Sequence, residues 1–138
     1  MNDLTVTAVD VPVAFRLNVE VADLEEAISL YSDLLGTVGR RQAGSRAYFT
    51  CGSLTLQVLD VSSAREVRPI PDSLYLTVID LDAAFLRAQQ LGCLAAGEVH
   101  GSPGGEIEVR PWGERSFYVQ DPWGNALCFV EAGTVYEG

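Results

Sequence analysis

Residues 15–21, FRLNVEV, alternate strictly: Phe15, Leu17, Val19 and Val21 are apolar, while Arg16, Asn18 and Glu20 are polar. A period of two places the apolar set on one face of a half-buried strand. The period then changes. From Leu24 onward Ala27, Ile28, Tyr31, Leu34 and Leu35 recur at helical spacing, which predicts an amphipathic helix closed by Gly36. Asp23 stands at its N-cap position with Glu26 three residues on, the arrangement of a capping box.

The unit returns in SLYLTVIDLDAAFLRAQQLG, residues 73–92. Leu74, Leu76 and Val78 alternate with Ser73, Tyr75 and Thr77, and Asp80 precedes a helical stripe of Leu81, Ala84, Phe85, Ala88 and Leu91 closed by Gly92. Setting Leu17 on Leu74 also superposes Val21 on Val78, Asp23 on Asp80, Leu24 on Leu81 and Ala27 on Ala84. The segments after the two helices match too: RAYFTCGSLTLQV from Arg46 and RSFYVQDPWGNALCFV from Arg115 both read as strand, turn, strand. In the second turn Pro122 suits the second position of a type I turn, and Gly124 supplies a positive φ. Matched segments in the same order indicate a duplicated strand–helix–strand–strand–strand unit. The expected organisation is one domain over 1–138, with a first repeat at 12–60, a polar linker at 61–71 and a second repeat at 72–132.

Composition narrows the function. A chain of 138 residues suits one domain with a substantial core, and no run approaches the roughly 20 apolar residues of a membrane span. The opening MNDLTVTAVD has neither the basic region nor the apolar stretch of a secretory signal. Nineteen acidic residues face nine arginines and no lysine, for a formal net charge of −10. That balance repels phosphate backbones, excludes nucleic acid as a partner, and favours small cations. Cys51, Cys93 and Cys128 are an odd, widely spaced set, suited to neither a disulfide framework nor a zinc site, so a reducing cytoplasm is the expected setting.

The segments VADLEEAISLYSDLLG and RPWGERSFYVQDPWGNALCFVE resemble the vicinal oxygen chelate superfamily, which holds glyoxalase I, extradiol dioxygenases, fosfomycin-resistance enzymes and bleomycin-resistance proteins; the likeness spans 12–131. It implies an α+β fold in which two βαβββ repeats form an open, curled mixed sheet, a half-barrel, with helices on the convex face and the site in the hollow. Alternation then directs Arg16, Asn18, Glu20, Thr55, Gln57, Ser73, Tyr75, Thr77 and Cys128 into the hollow, with Leu127 and Phe129 toward the helices.

Metal-dependent members place His, Gln or Glu at one hollow-facing position in each of four strands, and the resemblance maps these positions onto Arg16, Thr55, Ser73 and Cys128. A guanidinium has no lone pair to give, Ser73 and Thr55 are weak neutral donors, and one thiolate beside a cation is not a site. The single histidine, His100, falls in a glycine-rich loop outside these positions and reads as solvated. The expectation is therefore no metal, no cofactor and no catalytic residue. Cys128 reads as a small pocket-lining side chain; a reactive thiolate there would need a nearby cation, and Arg16 is the candidate.

The stretch PWGERSFYVQDPWGN resembles the metal-free, bleomycin-resistance-like branch through Pro111, Trp112, Gly113, Arg115, Asp121, Pro122, Gly124 and Asn125. That implies a homodimer with clefts between subunits, sequestering an aromatic or cationic antibiotic-like small molecule without altering it. Trp112, Trp123, Phe117 and Tyr75 are the stacking candidates; Asn18, Gln57, Ser73 and Thr77 supply hydrogen bonds, Glu20 a site for a cation and Arg16 one for a carboxylate. Three alternatives stay open. The chain is a metal-dependent lyase, transferase or dioxygenase whose ligands lie in another register, or it performs metal-free acid–base work through Glu20, Tyr75 or Cys128, or it is an interaction module with a decayed pocket. The glycines around 101–114 also leave open whether that segment acts as a lid.

Overall fold

The computed structural model describes residues 10–42 and 44–138; the N-terminal stretch considered for a secretory signal lies outside them, save its last residue, Asp10. The first repeat runs β1 (Arg16–Val21), α1 (Leu24–Leu35), β2 (Arg40–Gln42), β3 (Arg46–Cys51) and β4 (Leu54–Asp60). Its strands lie in the order β1-β4-β3-β2, with β1 parallel to β4 and the other pairs antiparallel. The second repeat runs β5 (Leu74–Val78), α2 (Leu81–Gln90), β6 (Glu98–Val99), β7 (Ser102–Pro103), β8 (Glu108–Val109), β9 (Arg115–Gln120) and β10 (Ala126–Glu131). Its main sheet, β5-β10-β9-β8, repeats the same topology. No ladder joins the two sheets among the described residues, so the half-barrel stays open.

Local chemistry fixes the helix ends as the sequence predicts. Asp23 Oδ1 accepts from the Glu26 N–H at 3.0 Å, and Asp80 Oδ1 accepts from the Ala83 N–H at 3.0 Å. Gly36 takes φ 69°, the left-handed conformation that lets its N–H and that of Thr37 return to the Ser32 carbonyl.

Both helices lie on the apolar faces of the sheets and touch each other, α1 packing on β3 and β4 and α2 on β9 and β10. Val19, Val21, Leu56 and Val58 from one repeat join Leu127, Phe129 and Val119 from the other in a single core. Phe117 belongs to that core as well, which corrects its assignment as a stacking residue for a ligand. The β9–β10 register pairs it with Phe129, so the two rings stack at 5.3 Å while Phe85 of α2 meets Phe117 edge-on at 5.4 Å. Trp123, half-buried, likewise packs against the core.

The DPWGN turn does more than reverse the chain. Asp121 is buried and accepts from the Tyr31 hydroxyl at 2.7 Å, from the Trp123 and Asn125 N–H groups at 2.9 and 2.8 Å, and from Asn125 Nδ2 at 2.8 Å. Asn125 Nδ2 also donates to the Glu20 carbonyl at 2.8 Å, while its Oδ1 accepts from the Ile70 N–H at 2.9 Å. The turn of the second repeat thus clasps α1 and β1 of the first, together with the linker. Burial, reinforced by the charge of Asp121, raises the Tyr31 phenol far above its ordinary range, so the phenol stays a hydrogen-bond donor. Among the described residues, no helix is long and apolar enough to cross a membrane.

Candidate functional site

Strand register decides which side chains share the hollow face of each sheet. On the first, Asn18, Gln57, Tyr48 and Arg40 form one cross-strand row, and Arg16, Thr55 and Thr50 form the next. Gln57 Nε2 donates to Asn18 Oδ1 at 2.7 Å, and Arg40 Nη1 donates to Thr50 Oγ1 at 3.0 Å. Phe15, Arg16, Arg40, Tyr48 and Thr55 line a cavity of about 420 Å³. This face is basic and amide-rich, although the chain as a whole is acidic.

On the second sheet, Tyr75, Cys128 and Tyr118 form the row equivalent to Asn18 and Gln57. The Tyr75 and Tyr118 rings meet edge-on at 6.4 Å. Tyr118 escaped the sequence reading, yet the DPWGN turn carries the information: counting outward from it pairs Leu127 with Val119 and Cys128 with Tyr118. Val99 of the β6–β7 hairpin, with Ala95, packs onto Tyr118, Cys128 and Val130. The Tyr118 N–H donates to the Gly104 carbonyl at 2.7 Å and the Gly104 N–H to the Gly97 carbonyl at 2.8 Å, so the front of the supposed lid is docked onto the sheet.

Cys128 therefore lies completely buried. Burial pushes its thiol up from 9.0 to about 11, against smaller opposing effects from Ser116, Tyr118 and the charge of Arg110. The nearby cation is Arg110, not Arg16, which sits on the other sheet. Arg110 is itself buried, donates through Nε to Ser116 Oγ at 3.0 Å, and lies 5.0 Å from the Tyr118 ring centroid; its Nη1 has no hydrogen-bond partner.

Glu20 is placed where the alternation puts it, but its charge is already neutralised within the chain. Arg65 grips both carboxylate oxygens, with Nη1 at 2.6 Å from Oε1 and Nη2 on Oε2, and the Arg68 N–H adds a bond at 2.8 Å. The Arg65 hydrogen bond is the main reason the Glu20 carboxyl falls from 4.5 to about 2. A native pKa below the unfolded one stabilises the fold above the unfolded value, and the gain fades as pH falls toward the native value. Glu20→Gln is expected to cost about 1 kcal/mol at pH 7 for this partly exposed pair. Urea melts should show that cost shrinking as pH falls from 4.5 to about 2; an undiminished cost at the acid end would contradict the pairing.

The remaining predicted residues divide. Ser73 and Tyr75 border a cavity of about 410 Å³ beside Val99, His100 and Tyr118. Tyr75 and Thr77 border a second, of about 390 Å³, with Trp112, Glu114, Val130 and Tyr136. His100 is exposed, its ring set edge-on to Trp112 at 4.7 Å. Trp112 Nε1 donates to Glu114 Oε1 at 2.7 Å. Glu114 and Tyr136 lie outside the sequence reading because neither sits on a strand whose period could aim it.

A duplicated βαβββ unit with helices on one face and an open hollow on the other is the architecture this chain adopts. The chain belongs to the glyoxalase/bleomycin resistance protein/dioxygenase superfamily, whose family model matches residues 14–129. No curated protein sequence matches it. Among solved structures it is similar to the oxidase ChaP-H2, at 25% identity and TM-score 0.69, over 92% of this chain and 96% of that one. It is similar to a lactoylglutathione lyase from Agrobacterium tumefaciens, at 20% identity and TM-score 0.66, over 90% and 96% of the two chains. The bleomycin resistance determinant encoded on the transposon Tn5 aligns at 17% identity and TM-score 0.64, over 87% and 98%.

The metal that many members use does not fit the residues present. Leu17 faces Leu56 across β1–β4 and Leu74 faces Leu127 across β5–β10, so the counterpart of Cys128 in the first repeat is Gln57, and Thr55 is one pleat away. This corrects the family mapping to Arg16, Gln57, Ser73 and Cys128. Gln57 adds one neutral amide oxygen, whereas the Arg16 guanidinium still gives no lone pair and the Cys128 thiol stays protonated and sealed. Among the described residues, no three His, Cys, Asp or Glu side chains cluster where an ion could sit.

Proposed function

We propose that this chain is a metal-free small-molecule binding protein that holds an aromatic ligand in the hollow and releases it unaltered, an antibiotic-like compound being the model occupant. The observation that carries this reading is the content of the four family positions, Arg16, Gln57, Ser73 and Cys128, which give hydrogen bonds and shape but no ligand field. The chain works as a homodimer in which hollow faces of two subunits close on the ligand. The exposed apolar side chain of Ile79, 92% exposed and one residue past β5, supports an interface that covers it.

The ligand meets two unlike walls. The first-sheet face offers Arg16, Asn18, Gln57 and Tyr48 for oxygen acceptors, and the second offers Tyr75 and Trp112 for rings, each ring contact contributing about 1 kcal/mol beyond area burial. An enzymatic reading draws on the oxidase and lyase named among similar structures. Equilibrium dialysis against a panel of aromatic amines and carboxylates separates the two. Binding unaffected by chelator, with the compound recovered at unchanged mass, is the expected result. Conversion of any bound compound, or loss of binding on chelation, would overturn the proposal.

A further inference from the structure

We infer that Tyr75, Trp112 and Tyr136, with the carboxylate of Glu114 between them, form an aromatic cage for an alkylammonium group. The inference rests on the binding reading above and names the chemistry of one end of the ligand. These four residues line a single cavity of about 390 Å³, completed by Leu76, Thr77, Val130 and Val135. Tyr75 and Tyr136 are 52% and 60% exposed, so their rings stand open to an incoming group.

The carboxylate is the decisive element. Glu114 is only 9% exposed, yet it enters none of the ion pairs among the described residues. Its oxygens accept instead from two neutral donors, Trp112 Nε1 at 2.7 Å and the Tyr136 N–H at 2.9 Å. These bonds place Trp112 and the C-terminal tail as walls of the cavity and leave the carboxylate outside any direct ion pair among the described residues. Arg110, four residues before it, directs its guanidinium to Ser116 and the Glu106 carbonyl and does not line this cavity. A cation that entered the cavity would meet this carboxylate directly while the surrounding rings turned their quadrupoles toward it.

Compact tetraalkyl or trialkyl ammonium heads suit such a site better than guanidinium, because they carry charge without needing several oriented acceptors. The tail is anchored beside the cavity: a 3₁₀ turn spans Ala132–Thr134, and Thr134 Oγ1 accepts from the Arg115 N–H at 3.0 Å.

Choline and its uncharged carbon isostere, 3,3-dimethylbutan-1-ol, test the idea on the intact protein by following the two tryptophan indole N–H signals in NMR. Trp112→Phe identifies which signal belongs to Trp112. The expected result is saturable choline binding about tenfold tighter than the isostere, shifting the Trp112 signal and sparing Trp123. Glu114→Gln should weaken choline about tenfold. Because that buried change could also disturb the fold, Tyr136→Ala on the exposed tail provides a second variant, expected to weaken choline about threefold or more while the rest of the spectrum is retained. Equal binding of the two probes, a shift confined to Trp123, or full choline affinity in Tyr136→Ala would each overturn the cage. If choline fails while aromatic carboxylates still bind without metal, the cage is wrong and the wider binding reading stands. A stoichiometric metal would instead overturn that reading, whatever choline does.

Discussion

Asp121→Ala is expected to lower the stability of the native state by about 3–4 kcal/mol, since it strands the buried Tyr31 hydroxyl, two backbone N–H groups and one Asn125 amide proton at once. For a domain of this size that corresponds to a fall in Tm of roughly 10–15 °C. Asp121→Asn keeps the shape and one acceptor oxygen, and it should recover part of the loss. The effect has a structural signature as well. Because Asn125 also holds the Glu20 carbonyl and the Ile70 N–H, freeing the turn should loosen the junction between the repeats. Hydrogen exchange in β1 and the linker should accelerate more than exchange in β3. Stability within about 1 kcal/mol of the parent would show that the turn does not clasp the two repeats together.

Gly105→Ala should have the second large effect. A β-carbon there would lie 2.4 Å from the Ala95 carbonyl oxygen and 3.2 Å from Leu94 Cβ. Neither neighbour gives way easily, because the Ala95 N–H is bonded to the Tyr118 carbonyl at 3.0 Å and Leu94 bridges to Val119. The clash is relieved most readily by lifting the hairpin, at about 2–3 kcal/mol. Lifting it uncovers Cys128. In the parent protein, burial and a thiol pushed up to about 11 should keep Cys128 unlabelled by iodoacetamide at mild pH, and peptide mapping of Gly105→Ala should show labelling faster by about tenfold or more. Equal labelling in the two proteins would mean that the hairpin does not seal the second hollow.

Much of this architecture is legible in the sequence, for a physical reason. Leu17, Val19 and Val21 must leave water on one side of a pleated strand, and Leu24, Ala27, Tyr31 and Leu34 must do so along one stripe of a helix, so burial writes its period into the chain. Asp23, Asp80 and Gly36 mark helix ends because the terminal N–H and C=O groups need partners. The duplication adds a second, independent copy of each signal.

What the sequence hides is settled between segments rather than within them. Phe117 and Tyr118 are adjacent, aromatic and both buried. The β9–β10 register sends one to the core and the other to the hollow; it must be counted out from the DPWGN turn, because the alternation of β9 alone does not give it. The same ladder logic moves the family position from Thr55 to Gln57. Glu20 reads as a free carboxylate in the sequence because its partner Arg65 lies 45 residues away in a linker with no period to place it. Glu114 and Tyr136 come together through a turn and a chain end, where no repeating pattern exists to be read.

Metal-free binding is tested most directly by the transition-metal content of the protein purified without chelator and then dialysed against zinc, nickel, manganese and iron in turn. Less than about 0.1 ion per chain is expected in each case, since the hollow offers one amide oxygen, a guanidinium, a hydroxyl and a sealed thiol. One tightly held ion per chain would contradict it.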